Sequence, residues 1–206
     1  MIDYSKIVVV MARQRSGTQM FLNALNSHPQ VKAYGEFVFN KRFKTRKEID
    51  KALERYVQKG YVSIFDVKYN FITPAVKKFL EQVKVIRLDR EDVEAQYKSD
   101  VESRMLIRKI RDPNLKLISF EDWVKKGNEY VEKFYDLADF VVTYEELTNN
   151  KNVVEVPEKI GEEVCNFIGI KPCKLVTERV KGDNRELEKW NARQEKKKLN
   201  PEKRLI

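Results

Sequence analysis

The stretch Ile7-Val8-Val9-Val10-Met11-Ala12-Arg13-Gln14-Arg15-Ser16-Gly17-Thr18-Gln19-Met20-Phe21-Leu22 decides how this chain is read. Its first half is a β-branched apolar run, the composition of a strand buried in a parallel sheet. The chain turns at Gly17 and then follows helical spacing, with Phe21, Leu22 and Leu25 three and four apart and Met20 beside them. A buried strand that runs through a short loop into a helix presents backbone N–H groups to an anion, because the first N–H groups of a helix have no internal partner and its dipole is positive there. Arg13 and Arg15 add full charges, and Ser16, Thr18 and Gln19 add side-chain donors. These residues predict a phosphate or sulfate cradle near the N-terminus.

The cradle is of neither common nucleotide type. A nucleoside-triphosphate loop needs Gly-x-x-x-x-Gly-Lys-Ser/Thr, whereas this loop has one glycine and no lysine. The dinucleotide fingerprint Gly-x-Gly-x-x-Gly is also absent. The tetrad Arg15-Ser16-Gly17-Thr18 instead resembles the phosphosulfate-binding loop of the sulfotransferases that use 3′-phosphoadenosine 5′-phosphosulfate (PAPS). His28-Pro29-Gln30-Val31 followed by Gly35-Glu36 is similar to the run that follows that loop in the carbohydrate and bacterial branches of the family. Gln14 departs from the pattern, since many members carry proline there.

A second segment carries the same resemblance. Val85-Ile86-Arg87-Leu88-Asp89-Arg90 leads through Glu91-Asp92 into Val93-Glu94-Ala95-Gln96-Tyr97-Lys98-Ser99. It is similar to the family element that holds the 3′-phosphate with an arginine at a strand end and a serine on the next helix. The resemblance assigns those roles to Arg90 and Ser99, with Arg87 as the competing arginine. A dianionic phosphate suits a planar guanidinium plus a hydroxyl donor. Without the resemblance, Arg90-Glu91-Asp92 reads equally as an ion pair at a helix start. Thr143-Tyr144-Glu145-Glu146-Leu147 and Cys165-Asn166-Phe167-Ile168-Gly169-Ile170 match the family's later succession and read as scaffold. Thr177 to Lys181 fall where the family closes a loop over the nucleotide; no clean motif stands there, and the resemblance leaves Lys181 and Arg185 as further cofactor candidates.

The remaining chain alternates strands and helices. Strands are expected at about Lys6–Met11, Val31–Tyr34, Tyr61–Tyr69, Val83–Leu88, Leu115–Ile118 and Asp139–Tyr144. Helices are expected at about Thr18–Ser27, Glu48–Gln58, from Thr73-Pro74 to Glu81, from Asp92 through Met105, over Glu121–Leu137, and from Pro157 to a Gly169 cap. The helix after Asp92 is expected to turn Val93, Tyr97, Val101 and Met105 inward, and Phe37 to Phe43 to form a loop. This pattern predicts an α/β fold with three layers, a mainly parallel sheet flanked by helices and P-loop-like in its nucleotide binding. Its ligand belongs beyond the carboxyl ends of the strands, where Arg15, Glu36, Lys68 and Arg90 all fall. Residues 1–206 are expected to form a single domain, closing with a basic helix from about residue 184 to 206.

Composition narrows the function classes. Net charge is +9, much of it in Lys41 to Lys47 and Lys196 to Lys198. That permits nucleic-acid binding, but no helix–turn–helix, zinc or RNP signature accompanies it, so no nucleic-acid partner is expected. One histidine and two cysteines, Cys165 and Cys173, give no metal spacing and no disulfide framework. No apolar run approaches a membrane span and no leader is recognised, so the expected location is cytoplasmic. The resemblance implies PAPS as sulfuryl donor, PAP as product, no metal, and a small-molecule, sugar or lipid acceptor, with a carbohydrate among the candidates. It implies that Arg13, Arg15, Ser16, Gly17, Thr18 and Gln19 hold the 5′-phosphosulfate, that Arg15 or Lys68 stabilises the leaving phosphate oxygen, and that Glu36 takes the acceptor's proton. Glu36 reads equally as a structural partner of Arg13 or Arg15. His28 reads as a turn residue rather than a base. The alternatives are a P-loop-like nucleotide or small-molecule kinase using Asp66 or Asp89 for magnesium, and a non-catalytic nucleic-acid-binding protein.

Overall fold

A computed structural model of the chain describes residues 2–39, 42–104, 118–149 and 155–177. The apolar run becomes β1 (Ile7–Ala12), with every residue buried, at the centre of a five-stranded sheet. β2 (Val31–Phe39), β3 (Val62–Lys68), β4 (Lys84–Asp89) and β5 (Phe140–Thr143) join it in the order β2-β3-β1-β4-β5, and every pairing is parallel. The sheet therefore has one carboxyl edge. The neighbours of β1 are β3 and β4, so the chain reverses direction across the sheet at β1, which is where such sheets open a crevice for ligand.

Strand alternation assigns each side chain to a layer. Val8, Val10 and Ala12 of β1, Ile64 of β3 and Ile86 and Leu88 of β4 face one core. That core is closed by α1 (Thr18–Asn26), α6 (Tyr144–Thr148) and α7 (Glu158–Ile168) through Phe21, Leu25, Leu147, Val164 and Cys165. Ile7, Val9, Met11, Phe65, Val67 and Val85 face the other. There α2 (Arg46–Leu53), α3 (Pro74–Leu80) and α5 (Phe120–Phe134) close it through Ile49, Leu53, Phe79 and Phe134. This is the three-layer α/β architecture that the alternating pattern predicts.

Helix ends follow local chemistry. Thr45 and Glu48 form a reciprocal capping box at α2, as do Thr143 and Glu146 at α6. Thr73 caps α3 with Pro74 in its first turn, as expected, and Gly169 ends α7 at φ 83°.

Three expectations are corrected. β2 does not end at Tyr34 but runs to Phe39, with its register against β3 shifting between those two residues. Within the segment expected as a loop, two described aromatics instead supply core. Phe39 and Phe43 are buried and pack edge to face, while Tyr34 stacks on Phe65. Among the described side chains of α4 (Val93–Arg104) the deeply buried ones are Gln96, at 1%, and Asp100, at 2%, rather than the expected apolar stripe, of which Met105 lies outside the described residues. The expected strand at Leu115–Ile118 and the basic helix at about 184–206 fall wholly or mainly outside the described residues.

Candidate functional site

The β1–α1 loop is held in an unusual shape. Arg15 has φ 65° and Gly17 φ 85°, both left-handed. For Arg15 that conformation costs on the order of 1–2 kcal/mol, so its surroundings must impose it. The Gly17 cap supplies no side-chain hydrogen bond to the start of α1, which leaves the first helical N–H groups to a ligand. A Cβ on Gly17 would run into the Tyr144 ring, so the close packing of α6 on the loop also requires glycine here.

Two side chains from the β4–α4 region fix the loop. Gln96 Nε2 donates to Gln14 O at 2.9 Å and to Ser16 Oγ at 2.8 Å. Arg90 Nη1 donates to Arg15 O at 3.2 Å. The Arg90 guanidinium also lies 4.9 Å over the Tyr144 ring, and its Nε is buried with no partner among the described residues. The Glu145 carboxylate accepts from the backbone N–H groups of Glu91 and Asp92, at 3.0 and 3.3 Å, just before α4, and Asp92 Oδ1 accepts from Ala95 N at 2.8 Å in its first turn. Ser99 lies half-buried on α4, one turn beyond Gln96.

Strand parity separates the two competing arginines. Arg87 shares its face with Val85 and points toward α5. There it pairs with Asp89 at 2.9 Å and stacks 4.6 Å over Tyr135. Arg90 lies on the loop side. Parity likewise sends Lys68 and Asp66 toward α1. Lys68 Nζ donates to Thr18 Oγ1 at 2.6 Å and pairs with Asp66 at 3.0 Å, with both residues nearly inaccessible. Lys68 therefore reaches the cradle through the Thr18 hydroxyl.

Arg13 goes elsewhere. It follows the α5-facing parity of β1, lies 4.2 Å over the Trp123 ring and donates to Trp123 O at 3.2 Å. It fills the notch left by Gly127, where a Cβ would collide with the guanidinium. Burial pushes its guanidinium below the ordinary value, partly offset by Tyr69, Asp89 and Asp100. Arg13 is thus packed against α5, while Arg15 is the exposed loop cation. Gln19 sits beside Gly35, where a Cβ would come within 2.9 Å of its amide nitrogen. That contact places the backbone of Gly35-Glu36 next to the first turn of α1.

His28 is buried as a turn residue. Its Nδ1 accepts from Gln30 N at 3.0 Å, which makes Nε2 the donor to Lys171 O at 2.9 Å. Lys181 and Arg185 lie outside the described residues. The last described residue, Thr177, bonds Asn23 of α1 at 2.9 Å. The sequence reading missed Gln96, Asp100 and Trp123 as neighbours of the loop. Gln96 stood in the segment quoted for the resemblance, Trp123 on the inward side of its expected helix, and Asp100 four residues beyond Gln96 on a helix expected to bury an apolar stripe. Among the described residues no group of three or more metal-ligating side chains occurs, and no helix is long and apolar enough to cross a membrane.

No family model matches the chain, and no curated protein sequence matches it significantly. Solved structures do share its fold. A sulfotransferase from Alicyclobacillus acidocaldarius aligns with TM-score 0.53 and 15% identity over 90% of both chains. Retinol dehydratase, in complex with androsterone and inactive cofactor PAP, aligns with TM-score 0.50 and 14% identity over 84% of this chain and 62% of its own. Shikimate kinase from Bacteroides thetaiotaomicron aligns at TM-score 0.44 and 13% identity over 68% of this chain and 88% of its own, too loosely to carry an argument.

Proposed function

We propose that the chain is a PAPS-dependent sulfotransferase that transfers a sulfuryl group to a hydroxyl or amine of a small-molecule, sugar or lipid acceptor. One observation carries the reading. Arg90, just past the end of β4, is bonded to the strained loop at Arg15 and keeps a buried Nε with no partner among the described residues. A cation so placed joins a 5′ cradle and a 3′-phosphate site into one surface, which a nucleotide with phosphates at both positions needs. The fold likeness to sulfotransferases supports the same reading.

In this account the N–H groups at the start of α1, with Arg15, Ser16, Gly17, Thr18 and Gln19, receive the 5′-phosphosulfate. Arg90 and Ser99 receive the 3′-phosphate, and Lys181 is a further nucleotide contact. Arg13 supports the loop from its α5 side rather than touching the nucleotide. When bound, PAPS supplies a sulfuryl group activated by a phosphate leaving group. The protein must align acceptor and sulfur in line and neutralise charge on the departing oxygen, as in phosphoryl transfer. Arg15 is the exposed cation for that charge, with Lys68 acting behind Thr18. Glu36 takes the proton lost by the acceptor as the sulfur–oxygen bond forms.

The kinase reading is weaker. Asp66 and Asp89, its magnesium candidates, are each ion-paired, to Lys68 and Arg87, and strand parity puts them on opposite faces of the sheet.

The test is release of PAP from PAPS in the presence of a panel of hydroxyl and amine acceptors. Acceptor-dependent release should appear in the wild type and fall by about 100-fold in Glu36→Gln, within the range for removing a general base, with PAP affinity unchanged. Acceptor-dependent ADP release from magnesium-ATP instead would replace this reading with the kinase one.

A further inference from the structure

We propose that Gln96 is a positioning residue, whose carboxamide holds the β1–α1 loop in the conformation that binds the anion. The inference rests on the loop being an anion cradle, but not on which nucleotide it takes.

Arg15 cannot hold its left-handed conformation unaided, and its neighbours on either side, Gln14 and Ser16, are both tied to Gln96. One carboxamide nitrogen has two protons, and here one is directed at the Gln14 carbonyl and the other at the Ser16 hydroxyl. The bond to Ser16 Oγ also limits how that hydroxyl can turn toward a bound phosphate. Gln96 is almost wholly buried, so neither bond is exchanged for one to water.

Gln96 is itself held in place. One turn along α4, Asp100 accepts from Trp123 Nε1 at 2.9 Å. Trp123 in turn carries Arg13, which extends from the end of β1. The result is a closed circuit in which β1, the loop, α4 and α5 each grip the next. A glutamine retained only for packing would not need both amide protons aimed at a strained turn.

The experiment measures binding of PAP and, separately, inorganic pyrophosphate by calorimetry, with thermal melting alongside. It compares the wild type, Gln96→Met, Gln96→Glu and the same-helix control Tyr97→Phe. The control loses a bond from the Tyr97 hydroxyl to Ile118 O that does not touch the loop. Gln96→Met keeps the side-chain length and loses both donors. It should weaken both ligands by about 10-fold or more, the scale of losing buried hydrogen bonds, while Tyr97→Phe binds like the wild type. Gln96→Glu should bind poorly at neutral pH and regain affinity as the pH falls through its carboxyl range, because the protonated acid can again donate one bond. Melting curves at each pH separate that rescue from a general recovery of folding, and only rescue of affinity in a chain folded throughout supports the positioning role.

Pyrophosphate binding that depends on Gln96, in a chain that ignores PAP, would support the proposal and overturn the sulfotransferase reading. Wild-type affinity in a folded Gln96→Met, absence of acid rescue in Gln96→Glu, or a wild-type chain that binds neither ligand would overturn the proposal.

Discussion

Arg15 holds a backbone conformation that is costly for any residue but glycine. Its backbone is left-handed and its side chain exposed, so its own packing does not explain why an arginine stands there. Replacing it with glycine would relieve about 1–2 kcal/mol of backbone strain and add roughly 0.5–1 kcal/mol of unfolded-state entropy cost. Arg15→Gly should therefore keep folding stability within about 1 kcal/mol of the wild type by urea denaturation. PAP affinity in the same variant should fall about 10-fold or more, the order of losing a charge-assisted hydrogen bond. A large loss of stability with unchanged binding would make Arg15 a structural residue.

At the scale of elements, α5 determines what Arg13 can do. Gly127 sits inside that helix, where alanine would ordinarily be favoured by about 1 kcal/mol. Here the missing Cβ makes room for the Arg13 guanidinium over Trp123. Gly127→Ala should therefore destabilise the wild-type chain by about 1–3 kcal/mol through overpacking. In an Arg13→Ala background the same change should become stabilising by up to about 1 kcal/mol. A double-mutant cycle by urea denaturation checks the reversal of sign, and additive effects would contradict the contact.

These elements also show what could be read from sequence. The β-branched run of β1, the Thr73-Pro74 start of α3 and the Gly169 cap each rest on local chemistry and were legible. The loop and the end of β4, singled out in the sequence, do meet in the structure, where Arg90 bonds Arg15 O. Arg13 was read as part of the cradle, and its packing on Trp123 was not legible, because its direction depends on strand parity and on a notch more than a hundred residues away. Gln96 stood in the run quoted for the resemblance, three residues before Ser99, but its hold on the loop was not read, for the same reason. A buried polar residue on a helix reads as a surface residue until its partner is known, and here the partner is a carbonyl of the loop itself. Phe39 and Phe43 fell in a segment read as a loop, because an aromatic and basic segment looks the same whether it lies in a loop or fills a core.

For the whole molecule, buried tyrosines set a limit on alkaline stability. Burial raises the Tyr69 phenol well above its ordinary value, with Asp89 adding to the rise and Arg87 and Arg13 opposing it. Tyr144 is raised too, mainly by burial. The folded chain therefore keeps protons that unfolded tyrosines release near pH 10. The stabilising contribution is complete below about pH 10 and is lost as the pH rises toward the folded values. Urea midpoints should fall between about pH 9 and 11, and Tyr69→Phe should flatten the decline. That variant should cost little at neutral pH, because the Tyr69 hydroxyl has no hydrogen-bond partner among the described residues.

The central claim is that one edge of the sheet binds a nucleotide carrying both a 5′- and a 3′-phosphate. Calorimetric titration of PAP, beside ATP with magnesium and with Arg15→Ala and Arg90→Ala as controls, tests it most directly. The account predicts selective PAP binding that is lost in both variants. Absence of PAP binding, or ATP binding that requires magnesium, would contradict it.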